Sequence, residues 1–202
     1  MKKIIAMLLV LTMALSLAAC AKKDAKPAET TPADTTPAGV EIASALELLT
    51  NAYNSYANPD NRPFVMGGSG DTMSFEGPGA VAITDTDTIN YVLLVPAEQT
   101  ANVADCASMI HAMNANSLTI AAFKVTGDAN AFVAALKDAV LGNHWMCGFP
   151  EKLVIATVGD YVVMCFGKAG VEDPTFNPVA DFVTALTTAY PTATVAVEEK
   201  IG

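Results

Sequence analysis

Two adjacent apolar runs restrict the fold of this chain more than any other feature. Residues 153–158 and 161–167 each have the composition of a β-strand, and Gly159-Asp160 between them fits a two-residue hairpin turn. In that register the cross-strand pairs are Val154–Cys165, Ala156–Val163 and Val158–Tyr161. Because both faces of the hairpin are apolar, we expect these strands to lie at the centre of a sheet that is covered on both sides.

Four other segments have apolar residues at helical spacing. One begins after Asp128 and is closed by Gly142; another has Asn177 as a cap, Pro178 at its first position and Pro191 as its stop. The other two stripes are Ile42, Leu46, Leu49, Tyr53 and Tyr56, and, after a cap at Thr100, Val103, Cys106, Ala107, Ile110 and Met113.

Further strand signals complete the predicted topology. Residues 118–125 are a clear strand, residues 194–198 a weaker one, and residues 89–95 either a strand or part of a helix. Residues 58–79, with five glycines and three prolines, are expected to be irregular. This order favours an α+β fold with a mainly antiparallel sheet, in which a central hairpin at about 153–167 is covered by about four helices.

The N-terminus has the layout of a secretory signal. Lys2 and Lys3 precede an uncharged apolar run over residues 4–17, which is shorter than the roughly 20 residues of a membrane-spanning helix. Leu17-Ala18-Ala19-Cys20 follows and resembles the lipobox of bacterial lipoproteins. The resemblance implies a signal peptide over residues 1–19, cleavage between Ala19 and Cys20, and a lipid on the Cys20 thiol. The alternative is an ordinary signal peptide with an incidental cysteine.

Composition divides the remainder into a tether and one domain. Residues 20–40 are rich in proline, threonine and alanine without an aromatic side chain, so we predict a disordered tether after the lipid. Residues 41–202 hold six basic and eighteen acidic residues, a net charge of −12, although the whole chain has −10. This domain lacks the clustered Lys and Arg of a nucleic-acid-binding surface, so we expect no nucleic-acid partner.

Three cysteines remain once Cys20 carries a lipid. Cys106 lies on an apolar helical stripe and Cys165 in a strand, where cysteine is a small buried residue. Cys147 lies between the third helix and the hairpin, and it could form a disulfide with Cys165 or Cys106 outside the cytoplasm. Because the number of thiols is odd, at least one stays unpaired.

Cys147 is also the residue on which an enzyme hypothesis rests. A nucleophile would need a base within reach, and His144 and His111 are the two histidines of the chain. Nothing nearby in the sequence predicts a lowered thiol pKa, and no third orienting residue is indicated. Trp145 and Phe149 instead favour a loop that packs onto the core.

Four carboxylates are candidates for ligand or cation contacts: Asp71, Glu76, Asp85 and Asp87. Asp85 and Asp87 are spaced as at the start of a calcium loop, but the later glycine and glutamate are missing, so capping of a following element is favoured. The glycine-rich residues 66–71 lack the Lys-Ser/Thr ending of a phosphate loop. The histidines have no His or Cys at metal-ligand spacing, so neither a metal nor another cofactor is predicted.

Two segments are similar to parts of a bacterial protein class. SMIHAMNANSLTIAAFKV (108–125) and HWMCGFPEKLVIATVGDYVVMCFG (144–167) resemble segments of small Clostridia-type lipoproteins. Those proteins carry a lipobox, a low-complexity linker and one domain of unknown function. The resemblance covers roughly residues 100–190, implies a Gram-positive source, and brings no activity or catalytic residue.

These patterns predict a protein held on the outer face of the cell membrane by the lipid on Cys20. We expect its domain to be a non-enzymatic binding module for a protein or a small molecule. Two alternatives stay open: an extracytoplasmic enzyme that uses Cys147 or a carboxylate pair, and an accessory subunit of a transporter or envelope assembly.

Overall fold

The computed structural model describes residues 41–202, and the predicted signal peptide and the tether lie outside this range. The chain has an α+β fold, in which a seven-stranded antiparallel sheet carries α-helices on both faces. The α-helices of the described part are α1 (Ala45–Asn54), α2 (Ala129–Leu141) and α3 (Pro178–Ala189). The strands are β1 (Val65–Met66), β2 (Gly79–Ala80), β3 (Val103–His111), β4 (Leu118–Val125), β5 (Lys152–Val158), β6 (Tyr161–Gly167) and β7 (Thr194–Lys200).

The hairpin β5–β6 lies inside the sheet, whose order is β1-β3-β4-β6-β5-β7 with β2 also paired to β3. The predicted register is confirmed, since Val154 pairs with Cys165 and Ala156 with Val163. β4 pairs with β6, and β7 pairs with β5. Nearly every hairpin residue is buried, as the apolar character of both faces predicts.

Alternate residues of the central strands point into two separate cores. Ile120 and Ala122 of β4 join the core under α1 and α3, whereas Ala121 and Phe123 join the core under α2. The first core also holds Tyr56, which follows the end of α1. The sheet is therefore the middle layer of three, and α1 and α3 share one of its faces.

The end signals of α2 and α3 are confirmed. The Asp128 carboxylate accepts hydrogen bonds from the backbone N–H groups of Asn130 and Ala131, and Gly142 is the C-cap of α2. The Asn177 side chain accepts from the N–H of Ala180, one turn into α3. These bonds satisfy donors that a helix start leaves unpaired.

The helix predicted over Val103 to Met113 is wrong, because this segment is strand β3. Four consecutive residues at its centre, 106–109, are buried, because β3 is covered on both faces. Apolar residues on both faces of a strand also satisfy helical spacing, so periodicity alone does not separate the two structures. Three α-helices, rather than four, therefore cover the sheet in the described residues.

Two segments, residues 58–79 and 88–92, contain regular structure that the sequence did not clearly predict. The irregular stretch 58–79 contributes the short strands β1 and β2, both paired with β3. Thr88–Val92 is a π-helical turn, which supports the helical alternative for the predicted segment at 89–95. Across residues 41–202, no helix has both the length and the hydropathy that crossing a membrane requires.

Candidate functional site

A cavity of about 370 Å³ lies at one end of the face that α1 and α3 share. Its walls come from the segment after α1, the end of β3, and the loop that precedes α3. We call it the Arg62 cavity and define it by Tyr56, Arg62, Phe64, His111, Phe176 and Asp181. A second hollow of about 200 Å³ adjoins it and shares Tyr56 and Asp181.

Arg62 is the only arginine of the 202-residue sequence. Its Nη2 donates to the carbonyl of Asn54 at 3.3 Å, and its guanidinium lies over the ring of Tyr53, 5.2 Å from the centroid. Its Nε is buried and has no hydrogen-bond partner. No carboxylate of the described residues forms an ion pair with Arg62. The arginine is thus held in place by a carbonyl and a ring, which leave its buried Nε–H without a hydrogen bond and its charge without an ion pair in the described residues.

Tyr56 provides a second unused polar group. Its side chain is buried, with 7% relative exposure, and its hydroxyl has no partner. Burial raises the pKa of Tyr56 far above the ordinary tyrosine range, and nearby Cys165, Asp181 and Tyr53 raise it further. The hydroxyl therefore keeps its proton at neutral pH, and it is buried out of reach of solvent.

His111 is the last residue of β3 and forms another wall. Its Nδ1 accepts hydrogen bonds from the backbone N–H groups of Met113 and Asn114, each at 3.3 Å. This acceptor role assigns the ring proton to Nε2. Burial lowers the pKa of His111, so the neutral ring is favoured. In this state Nε2–H is a hydrogen-bond donor.

The loop over residues 168–177 carries the opposite wall. Its Phe176 meets the His111 ring edge to face, with centroids 6.4 Å apart. The side chain of Glu151, at the start of the hairpin, accepts from the backbone N–H groups of Ala169, Val171 and Glu172. One partly buried carboxylate thus fixes the path of the loop that places Phe176 against the cavity.

The pKa of Glu151 reflects this arrangement. Burial acts to raise the pKa, but the three backbone donors and the Lys168 ammonium hold it below the ordinary glutamate range. Lys168 contacts both Glu151 and Glu172. Glu151 is therefore ionised at neutral pH and serves the loop, while the cation beside it is already paired.

The four sequence-predicted carboxylates lie elsewhere and do not form one cluster. Asp85 lines a separate cavity of about 280 Å³, which also contains Ser69, Met73 and Val92. Asp71, Glu76 and Asp87 are exposed and are not among the residues that line it. Glycine backbone and apolar side chains make up most of the lining of this Asp85 cavity.

Asp85 has a local role. Its carboxylate accepts from the backbone N–H and the hydroxyl of Thr88, so it caps the helical turn that follows, as the sequence favoured. The same Thr88 N–H, then the Thr88 hydroxyl and the Ser69 hydroxyl, lower the pKa of Asp85. These bonds use the oxygens that a cation would need.

The structure places the three candidate cysteines apart from one another, and all are free thiols. Cys106 and Cys165 are buried, and burial raises the pKa of each. Cys147 is exposed, in a backbone conformation with φ +61° that favours glycine. Trp145 packs on Phe166, with ring centroids 5.1 Å apart.

The catalytic pairing considered for Cys147 finds no support in the contacts of the described residues. The Nδ1 of His111 is occupied by backbone N–H groups, and His144 is exposed with no hydrogen bond to the thiol. The contact between the two regions is structural, because the Asn114 amide donates to the Cys147 carbonyl. Phe149, expected to cover the core with Trp145, is 63% exposed.

Within residues 41–202, no three His, Cys, Asp or Glu side chains are grouped so that they could hold a metal ion. No protein-family model, curated protein or solved structure matches the chain. Among the described residues, the Arg62 cavity combines the one arginine of the sequence with the partly exposed rings of Phe64 and Phe176.

Sequence reasoning missed this cavity. Its walls come from three separate stretches of the chain, and no local motif joins Tyr56, Arg62, His111 and Phe176. One signal was present: a single arginine in a domain with eighteen acidic residues. Arginine at such a position suits planar recognition of an anionic group, which lysine performs less well.

Proposed function

We propose that this chain is an extracytoplasmic lipoprotein whose α+β domain is a non-enzymatic module for binding a small molecule. The lipobox and the tether composition support the anchor, as the sequence predicts for Cys20. The Arg62 cavity supports the binding role. In this proposal the lipid holds the domain at the membrane, and the cavity is open to molecules outside the cell.

One observation carries the binding role: the cavity lies between three separate stretches of the chain, and its wall includes the rings of Phe64 and Phe176, which are 61% and 38% exposed. Uncovered aromatic surface is unfavourable in water, and the apolar part of a bound ligand would cover it. The volume of about 370 Å³ falls within the range of small-molecule sites.

The binding role is tested by thermal unfolding of the full chain in detergent against a panel of amino acids, organic acids, sugars and nucleosides. Asn61 lines both adjoining hollows and is exposed, so Asn61→Trp should fill the site. Asn130→Trp, at an exposed position of α2, is the matched control. We expect compounds that raise the unfolding midpoint of the wild type and of Asn130→Trp but not of Asn61→Trp. A panel without any such compound contradicts the proposal.

The anchor is tested separately by metabolic palmitate labelling. Cys20→Ala should abolish labelling and release the protein from the membrane fraction. Cys147→Ala, which removes an exposed thiol of the domain, should leave both unchanged. Labelling and membrane retention that persist in Cys20→Ala would overturn the lipoprotein assignment, whatever the binding experiment shows.

A further inference from the structure

We infer that one end of the sheet is a docking surface for a basic amphipathic helix of a partner protein. We call it the distal surface and define it by four exposed apolar residues: Met113, Met146, Phe149 and Val171. None of the four lines the Arg62 cavity. The inference therefore goes beyond the proposed binding of a small molecule, and only the orientation toward the membrane rests on the proposed anchor.

Three loops, over residues 112–117, 143–151 and 168–177, leave the same end of the sheet. The last residue of β6 pairs with the first residue of β4 and with the first residue of β5. The end of β3 is adjacent, because β3 pairs antiparallel with β4. Since each loop carries at least one of the four apolar residues, the sheet brings them to one end of the domain.

Hydrogen bonds hold these loops in place. The Asn116 amide donates to the carbonyl of Met146 at 2.8 Å, and the Asn114 amide donates to that of Cys147 at 3.2 Å. The Glu151 carboxylate holds the third loop through three of its backbone N–H groups. Because the backbones are fixed, a partner that binds here loses less free energy to loop ordering.

The apolar side chains of the distal surface are unusually uncovered. Met113 is 81% exposed and Met146 78% exposed, and Phe149 and Val171 are exposed as well. Apolar groups gathered in this way at one place mark an interaction surface. Methionine is unbranched and polarizable, so it adapts to the shape of an apolar partner, and Met-rich surfaces accept helices of varied sequence.

The charge of the three loops selects the partner. Their charged side chains are Glu151, Lys168, Glu172 and Asp173. The Lys168 ammonium is bound to both Glu151 and Glu172. Glu172 and Asp173 directly follow Val171 at exposed positions. The distal surface is thus apolar with an acidic margin, which a helix with an apolar face flanked by Lys and Arg complements.

The charge of the domain disfavours two other occupants. Residues 41–202 have a net charge of −12. A second copy of the chain carries the same charge, and an anionic bilayer is negative too, so both are repelled over the whole approach. A basic segment is attracted instead, and the same field steers it to the domain.

The place where the chain enters the domain supports a partner outside the membrane. At the other end of the sheet, the Tyr161 hydroxyl donates to the carbonyl of Ile42, and the Ala45 N–H donates to the Asp105 carboxylate. β6 has seven residues, so about 23 Å separates the two ends. In the proposed lipoprotein the lipid precedes residue 41, and this attachment directs the distal surface away from the bilayer.

The test is a titration of the full chain in dodecyl maltoside with two synthetic peptides of about five helical turns. One peptide has leucine on one face and lysine on the other, and the second has glutamate in place of lysine. Empty micelles measure the peptide that the detergent takes up, and affinities refer to the remainder. We expect the lysine peptide to bind at least about tenfold more tightly. Equal affinity of the two peptides, or no binding of the lysine peptide at millimolar concentration, would overturn the inference.

Apolar variants locate the binding. Met113→Ser combined with Met146→Ser should weaken binding of the lysine peptide at least about tenfold, because both side chains lose apolar contact area. Ile83→Ser combined with Tyr91→Ser, at exposed positions before β3, is the matched control and should bind as the wild type does. Phe149→Ser should weaken binding in the same direction and replaces the methionine variant if that protein does not fold. Equal affinities of the two double variants contradict the inference.

Charge variants test the choice of a basic partner. Glu172→Gln combined with Asp173→Asn should weaken binding of the lysine peptide about threefold or more and reduce its dependence on salt. Asp87→Asn combined with Glu98→Gln removes two exposed carboxylates before β3 and is the control. A salt dependence that is the same in the two double variants would overturn this choice.

Other occupants give other results, and each of these overturns the inference. A dimer in sedimentation velocity that Met113→Ser with Met146→Ser dissociates assigns the surface to a second copy. Slower reaction of Cys147 with a polyethylene glycol maleimide in phosphatidylcholine vesicles than in detergent assigns it to the bilayer. Loss of lysine-peptide binding in Asn61→Trp places the peptide in the Arg62 cavity. If the peptide results hold while the small-molecule panel finds no ligand, the proposed function fails and the inference stands.

Discussion

The imidazole of His111 and the phenyl ring of Phe176 meet edge to face at 6.4 Å between centroids. The contact joins the end of β3 to the loop before α3, two parts of the chain that the sheet does not connect directly. It closes one side of the Arg62 cavity. The shape of the cavity therefore depends on the position of the His111 ring and on the anchoring of the loop over residues 168–177.

Removal of the Tyr56 hydroxyl should stabilise the fold. The hydroxyl is buried without a partner, so Tyr56→Phe should raise the free energy of unfolding by about 1 kcal/mol. Tyr190→Phe is the matched control, because the Tyr190 oxygen accepts from the Asn51 amide at 3.0 Å, and its loss should be destabilising. Denaturant titration of both variants without ligand measures the difference. A clear loss of stability in Tyr56→Phe would show that its hydroxyl has a partner.

Loss of the Glu151 charge should loosen the loop over residues 168–177. Glu151→Gln keeps the size of the side chain but weakens hydrogen bonds to three backbone N–H groups and to Lys168, so the free energy of unfolding should fall by about 1–3 kcal/mol. Faster hydrogen exchange of the amides of Ala169 and Val171 would locate the effect. Glu199→Gln, on the exposed edge strand β7, should leave that exchange unchanged.

Glu151 should also make the stability of the fold depend on pH in the acidic range. Because the folded-state pKa of Glu151 lies below its ordinary value, the ionised carboxylate stabilises the fold above about pH 4.3 and this contribution is lost as the pH falls through the folded pKa. The wild type should therefore lose more stability than Glu151→Gln between about pH 5 and pH 3. Parallel stability curves for the two proteins over that range would exclude this role.

His111 should make the stability of the fold depend on pH in a second range, closer to neutral pH. Burial lowers its folded-state pKa, so stability is full above the unfolded-state pKa of about 6.5 and declines as the pH falls through the folded value. His111→Gln should reduce the loss of stability between about pH 7 and pH 5. His144→Gln, at an exposed position, is the matched control for the loss of a histidine.

The three domain thiols should differ sharply in reactivity. Cys147 is exposed, whereas Cys106 and Cys165 are buried with raised pKa values, so a maleimide should modify Cys147 in the native protein and the other two only after unfolding. Peptide mass spectrometry identifies the modified residue. Rapid native labelling of Cys106 or Cys165 would contradict their burial.

The backbone at Cys147 allows a further test of this loop. Its φ of +61° favours glycine, so Cys147→Gly should retain or raise the melting temperature, while Cys147→Val should lower it. The Asn114 amide holds the Cys147 carbonyl in this conformation. Equal melting temperatures for the glycine and valine variants would show that the backbone relaxes at this position.

The sequence predicted those elements that carry both periodicity and end signals. α2 and α3 have caps at Asp128 and Asn177, and the hairpin has a two-residue turn, so local chemistry determined their bounds. The sequence predicts a helix at β3 because the strand is apolar on both faces. Its two faces are covered by the two cores, and this burial depends on tertiary packing that local periodicity does not reveal. The strands β1 and β2 escaped prediction for a similar reason, since each has two residues and exists only by pairing with β3.

The cavity could not be predicted in the same way. Arg62 follows α1, His111 ends β3 and Phe176 precedes α3, so their proximity depends on the order of strands and on α1 and α3 sharing a face. The four candidate carboxylates lie within residues 71–87, but closeness along the chain does not bring side chains to one point. Asp85 used its oxygens on its own turn.

The packing of Trp145 against Phe166 has an optical consequence. Trp145 is the only tryptophan of the sequence, and it contacts the core under α2, whereas Tyr56 belongs to the core on the other side of the sheet. Intrinsic tryptophan emission will therefore follow melting of the α2 layer. Occupancy of the Arg62 cavity should leave that emission almost unchanged, so a flat fluorescence titration would not mean an empty site.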